Sequence, residues 1–168
     1  MSSNSNDVFG RIEEQQESYL EQLKEYLRIP SVSTDPAHKQ DVLRCADFVC
    51  DRMTEAGLTA EKIETAGNPL VYGEWNGAGS DKPTILFYGH YDVQPADPLD
   101  EWNSPPFEPT VEGDLLIARG ATDDKGQSFT HIKAVEAMLQ ERGTLPANVK
   151  FIMEGEEEIG GVAIEKFV

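Results

Sequence analysis

The chain is 168 residues long and carries 14 basic against 31 acidic side chains, a formal charge of −17. With 39% hydrophobic and 27% charged residues it is too apolar for a disordered acidic tail, and its length predicts one domain burying a sizeable core. So acidic a balance excludes nucleic acid as a partner, because phosphate binding needs clustered Lys and Arg.

The opening Met1-Ser2-Ser3-Asn4-Ser5-Asn6-Asp7 has neither the basic segment nor the apolar stretch of a secretory signal. Apolar strand-like runs such as 85–88 and 115–118 fall far short of the ~20 residues that span a bilayer, so no membrane partner and a cytoplasmic setting are expected. A first helix is predicted over 8–27, where Ile12, Tyr19, Leu20, Leu23, Tyr26 and Leu27 recur at helical spacing, and Pro30 stops it. Asp35-Pro36 reads as a cap followed by a first-turn proline. The helix it opens carries Val42, Ala46, Val49, Cys50 and Met53 and ends at Gly57. Cys45 and Cys50, five helical steps apart, point away from each other and suit neither a disulfide nor a zinc knuckle.

The pattern then changes to strands. Segments 59–63 and 71–75 read as short strands, the second closing on an Asn76-Gly77 turn. Thr84-Ile85-Leu86-Phe87-Tyr88 reads as a central strand buried on both faces. Five prolines between 95 and 109 mark a long ordered loop. A strand over 115–118, a helix over 125–142 stopped by Gly143, and a strand over 149–153 complete the pattern. Strands alternating with helices predict an α/β fold whose central sheet is mixed, largely parallel and flanked by helices.

Ligand-type residues collect just beyond the C-terminal ends of three of these strands: His90 and Asp92 after the first, Asp123-Asp124-Lys125-Gly126 after the second, and Glu154-Gly155-Glu156-Glu157-Glu158 after the third. Open α/β sheets bind ligands at that edge. Taken alone, His90-x-Asp92 is a common surface or core pair, Asp123-Asp124 a capping turn, and the glutamate run a solvated loop. Together they would repel one another unless cations neutralise them. One histidine among carboxylates suits zinc or manganese. Two such ions ~3.5–4 Å apart can share a carboxylate and activate a water, while adjacent Glu157 and Glu158 divide metal binding and proton transfer between them. No nucleophile elbow, Walker loop or dinucleotide fingerprint competes, so the pattern points to a metal-assisted amide hydrolase.

Gly89-His90-Tyr91-Asp92-Val93-Gln94-Pro95, Trp102 with Pro105-Pro106-Phe107, Arg119 to Gly126 and Glu154 to Gly160 resemble the co-catalytic di-zinc metallopeptidases. That family includes carnosinase-like dipeptidases, carboxypeptidase G and aminoacylases, and the Val93-Gln94-Pro95 and Trp102…Phe107 segments look most like the dipeptidase branch. The resemblance implies a zinc-exopeptidase-like three-layer domain and two Zn2+ ions per site, with Mn2+ as an alternative. His90 and Glu158 would be metal ligands, and Asp123 would bridge both ions and precede a cis peptide to Asp124. Asp92 would orient His90, and Glu157 would be the general acid/base.

The resemblance also implies that residues 1–168 form the N-terminal part of a longer catalytic domain, truncated here. A later acidic ligand, a final histidine ligand and an inserted lid domain that makes the parent a homodimer would lie elsewhere. The expected activity of the parent is hydrolysis of dipeptides or short peptides, with little or none from the 168 residues alone. The alternatives are an N-acyl-amino-acid deacylase and a non-catalytic metal-binding or interaction module.

Overall fold

The computed structural model describes residues 5–161 and 163–167. Helix α1 (Ser5–Leu27) ends before Pro30. Asp35 accepts a hydrogen bond from Ala37 N at 2.8 Å and opens a 3-10 turn at Pro36–His38. That turn leads into α2 (Lys39–Glu55). After β1 (Thr59–Ile63) and β2 (Leu70–Trp75) come β3 (Thr84–His90), the short hairpin strands β4 (Thr110–Glu112) and β5 (Leu115–Ile117), and α3 (Lys125–Arg142). Gly143, at φ 67°, ends α3 in the left-handed conformation that favours glycine. Strand β6 (Asn148–Glu154) and the short α4 (Ala163–Phe167) complete the fold.

The central sheet has the order β1-β2-β6-β3. It is mixed and flanked by helices, as the alternation of elements predicts. Only β3 and β6 pair in parallel; β1–β2 and β2–β6 are antiparallel, so the described sheet is less parallel than expected. The chain leaves β2 through 76–83 and enters β3 on the far side of β6, so Asn76-Gly77 does not close a hairpin between neighbours.

Alternation along the strands sets the two faces. Val71, Val149, Phe151 and Met153 point into the main core with Val42, Cys45, Ala46, Val49 and Met53 of α2 and Phe129, Ile132 and Val135 of α3. Helix α1 joins this layer through Tyr26, whose ring stacks on Phe48 at 5.1 Å and meets Phe129 at 6.2 Å. On the opposite face Tyr72 meets Phe167 of α4. Lys125 is wholly buried, and its Nζ caps the end of α1 by donating to Tyr26 O at 3.1 Å and Ile29 O at 2.6 Å. Both cysteines are free, Cys45 inside the core and Cys50 half-buried.

Two expectations change. Strand β3 is an edge strand among the described residues, not a central one: Ile85, Leu86 and Tyr88 are 46%, 57% and 55% exposed. It pairs on one side only, with β6, and an apolar run cannot by itself tell an edge strand from a central one. Strand β5 pairs only with β4, in a separate two-stranded sheet. The segment 118–124 therefore reaches the central sheet as a loop, not as the end of one of its strands.

The start of the β3–β6 pair is pinned by Asn148. Its Nδ2 donates to Gly79 O at 2.9 Å, its Oδ1 accepts from Ala78 N at 3.2 Å, and its own N–H donates to Pro83 O at 2.9 Å. Among the described residues no helix is long and apolar enough to cross a membrane.

Candidate metal centre

Strands β3 and β6 run in the same direction, so their C-terminal ends meet at one edge, with His90 opposite Glu154. Every donor of the candidate site lies at or just past that edge. His90 is 6% exposed and held on three sides. Its N–H donates to Asp124 Oδ2 at 3.1 Å. Its Nδ1 lies 3.1 Å from Asp92 O and 3.4 Å from Asp92 Oδ1. Its Nε2 lies 3.0 Å from Asp123 Oδ1 and 3.9 Å from Glu157 Oε2.

Room for this arrangement comes from Gly89. A Cβ there would sit 2.5 Å from Asp124 Oδ2 and 3.1 Å from Met153 Sδ. The Asp123–Asp124 peptide is cis, as the resemblance implies. The two carboxyl groups serve different atoms of His90, Asp123 the ring and Asp124 the main chain.

The glutamate run does not act as one acidic loop. Glu154 turns to the Tyr88 hydroxyl, which donates to its Oε1 at 2.5 Å. Glu156 is buried and accepts from Asn68 N at 2.9 Å. Glu157 and Glu158 lie in a 3-10 turn, Glu157–Ile159, beside His90. Gln94 Nε2 donates to Glu158 Oε2 at 2.7 Å. Tyr91, fully buried, braces the junction: its N–H donates to Glu154 O at 2.8 Å and its hydroxyl to Pro69 O at 2.5 Å.

One donor atom from each of His90, Asp123 and Glu158 lies within 4.8 Å of the other two. An imidazole and two carboxylates at that separation are the donor set and spacing that a zinc-like divalent ion accepts, so these residues fit a metal. Asp92, 0% exposed, leaves Oδ1 without a hydrogen-bond partner, aimed at the Nδ1 side of His90. With Nδ1 held by Asp92 O at 3.1 Å and faced by Oδ1 at 3.4 Å, the ring presents a lone pair at Nε2.

Electrostatics follow the crowding. Burial lowers the His90 pKa, but hydrogen bonds and charges from Asp92, Asp123 and Asp124 outweigh it and raise the group to about 9. Burial raises the Asp124 carboxyl, against the His90 N–H that lowers it. Glu154 is raised by burial and by the neighbouring carboxylates Asp92 and Glu157, while the Tyr88 hydroxyl opposes the shift. Excess negative charge in the site is thus partly offset by protons when no cation is bound.

The residues singled out from sequence, His90, Asp92, Asp123, Glu157 and Glu158, therefore converge on one edge of the sheet. Three contributors had no assigned part. Asp124 holds the His90 main chain, and Gln94 holds Glu158. The Ser33 hydroxyl donates to Asp92 Oδ2 at 2.6 Å. Gln94 lies inside a recognisable motif, but nothing local marks Ser33, which only the fold brings to Asp92.

Histidine and carboxylate donors gathered at parallel strand ends give this acidic α/β domain a candidate metal centre. The sequence model of peptidase family M20/M25/M40 matches residues 86–168. The chain is 34% identical over 174 residues to the Beta-Ala-His dipeptidase of Mus musculus, covering 96% of this chain and 35% of that protein. It is 34% identical over 176 residues to the Cys-Gly metallodipeptidase DUG1 of Candida albicans, covering 96% and 36%. The solved structure of the dipeptidase Dug1p from Saccharomyces cerevisiae superimposes with a TM-score of 0.90 at 28% identity, over 99% of this chain and 38% of that one. The chain belongs to peptidase family M20/M25/M40, whose membership implies a metal cofactor. It spans about a third of the length of the curated relatives it matches.

Proposed function

We propose that residues 1–168 are the N-terminal part of the catalytic domain of a dipeptidase-type metallopeptidase, which hydrolyses the peptide bond of dipeptides or short peptides. The observation that carries this reading is the meeting of His90, Asp123 and Glu158 at the sheet edge, with Glu157 3.9 Å from His90 Nε2. The dipeptidase activity named for the relatives supports it. In this reading His90 Nε2, Asp123 and Glu158 hold a divalent ion, zinc by the donor chemistry and manganese as the alternative. By the family resemblance, Asp123 would also help to hold a second zinc. When bound, such ions polarise a carbonyl and make a water acidic enough to ionise near neutral pH.

The chain's own groups do the rest. Asp92 orients His90 by holding its Nδ1 side, which keeps the Nε2 lone pair free. Glu157, 46% exposed and open to substrate, takes a proton from the water as its oxygen bonds to the carbonyl carbon. Glu157 then returns that proton to the amine nitrogen as the C–N bond breaks. The resemblance puts further ligands and a dimerising lid outside 1–168, so these residues alone hydrolyse little or nothing and the parent is a homodimer. A cytoplasmic setting belongs to the same reading and is supported by the two free cysteines.

Glu157→Gln in the whole protein should keep its zinc and lose turnover of a dipeptide panel, whereas Asp123→Ala should lose both. Turnover near the wild-type rate in Glu157→Gln overturns the proton-carrier assignment. Unchanged zinc content in Asp123→Ala overturns the metal centre.

A further inference from the structure

The Asp92 carboxylate touches the segments that carry two of the three donors. Its Oδ2 accepts the Glu158 N–H at 3.2 Å, and its Oδ1 faces His90 Nδ1 at 3.4 Å. The terminal torsion of an aspartate is broad and roughly two-fold, so these two longer contacts alone hold its rotation weakly. The shortest contact to the group is the Ser33 hydroxyl, 2.6 Å from Oδ2. A neutral donor to a buried carboxylate makes a strong, directional bond.

Ser33 is itself fixed relative to Asp92. It lies in the turn after α1, where the Ser31 hydroxyl donates to Tyr91 O at 2.6 Å and Val93 N donates to Ser31 O at 3.0 Å. Val32 and Val93 form a parallel bridge. The loop carrying the hydroxyl is thus tied to the main chain on both sides of Asp92.

We propose that Ser33 is a positioning residue of the metal centre: its hydroxyl fixes the Asp92 carboxylate, which in turn sets the His90 ring and the Glu158 main chain. Ser33 itself touches neither ion nor substrate. The inference rests on the reading that His90 and Glu158 hold the ion. Outer hydrogen-bond partners of metal ligands typically carry 10–100-fold in metal affinity.

The test uses the full chain with Zn2+ in competition against a chromogenic chelator, together with the visible spectrum of the Co2+ form and the thermal midpoint without metal. Ser33→Ala is expected to weaken Zn2+ binding roughly tenfold, the low end for a direct partner of a ligand because Ser33 acts through Asp92, and to alter the Co2+ ligand-field bands, with Ser33→Thr restoring both. A residue that merely supports the fold would lower the thermal midpoint and leave affinity and spectrum unchanged. That result, or a loss that threonine does not recover, overturns the inference. If Ser33→Ala does not fold, Ser33→Thr against Ser33→Val isolates the hydroxyl at nearly constant shape, and equal affinities overturn the inference. His90→Ala is the separate check on the underlying reading. Wild-type Zn2+ affinity in His90→Ala would remove the metal centre itself, whereas weak binding there with normal binding in Ser33→Ala removes only the role of Ser33.

Discussion

Raising the pH should strengthen zinc capture well above the range set by an ordinary histidine. Without metal, the proton on Nε2 sits between His90 and Asp123, 3.0 Å apart, where a metal bound by both residues would lie. With the His90 pKa near 9, about one molecule in a hundred has a neutral ring with a free Nε2 lone pair at pH 7, two units below. Affinity at pH 7 is then ~100-fold under its plateau, about 3 kcal/mol. It should rise tenfold per pH unit up to about 9 and flatten beyond. An imidazole at its usual pKa of about 6.5 would be about three-quarters competent at pH 7. Competitive Zn2+ titration from pH 6.5 to 9.5 measures the slope, and calorimetry in buffers of different ionisation enthalpy counts the protons released, with one per zinc expected at pH 7. The sign for folding is the reverse. A pKa raised on folding contributes stability that is complete below about pH 6.5 and is lost as pH rises through 9. The metal-free protein should therefore lose stability, about 3 kcal/mol at most, over the window in which it gains zinc affinity. A flat affinity between pH 7 and 9, or no proton release at pH 7, would refute the reasoning.

Two packing predictions follow from the same geometry. Gly89→Ala puts a methyl 2.5 Å from Asp124 Oδ2 and 3.1 Å from Met153 Sδ, so Asp124 must leave the His90 N–H. It should cost about 1–3 kcal/mol by urea unfolding and weaken Zn2+ binding, and wild-type values for both would show that Asp124 plays no part in holding His90. Lys125→Met removes the buried donor to the Tyr26 and Ile29 carbonyls. Each carbonyl keeps a main-chain donor, Ile29 N to Tyr26 O at 3.3 Å and Ser31 N to Ile29 O at 2.9 Å. The loss should therefore be about 1.5–3 kcal/mol, the scale of hydrogen bonds to a charged group, and an unchanged unfolding midpoint would show that those main-chain bonds suffice.

Elements with strong local signals were legible in the sequence. Proline and glycine punctuation and helical spacing mark α2 and α3, and Gly143 ends α3 at the residue predicted. Site residues that fall just past strand ends were legible too, because an apolar run followed by His90, or by Glu154 to Glu158, places them at a sheet edge. What was not legible depends on pairing. The exposure of β3 follows from which strands flank it, and Leu115–Ile117 has a strand's composition without belonging to the main sheet. Composition also cannot divide five neighbouring residues by direction. Glu154, Glu156 and Glu158 look alike in sequence, yet one meets Tyr88, one Asn68 and one Gln94. Ser33 is the extreme case, 59 residues from Asp92 and marked by nothing near it.

The alignment of β3 with β6 makes strand register a chemical variable. Side chains alternate between faces, so sliding either strand by one residue keeps a ladder of main-chain bonds but turns its whole set of side chains over. A slip of β3 would send His90 toward the core and bring Gly89 or Tyr91 to its place. Asn148 opposes that slip by gripping the 78–79 turn and Pro83 at the first rung. It lies about 20 Å from the donors at ~3.3 Å per residue along β6. A neutral amide with no chemistry of its own thus serves as the zero mark of a ruler, and the donor cluster is read off at the sixth graduation.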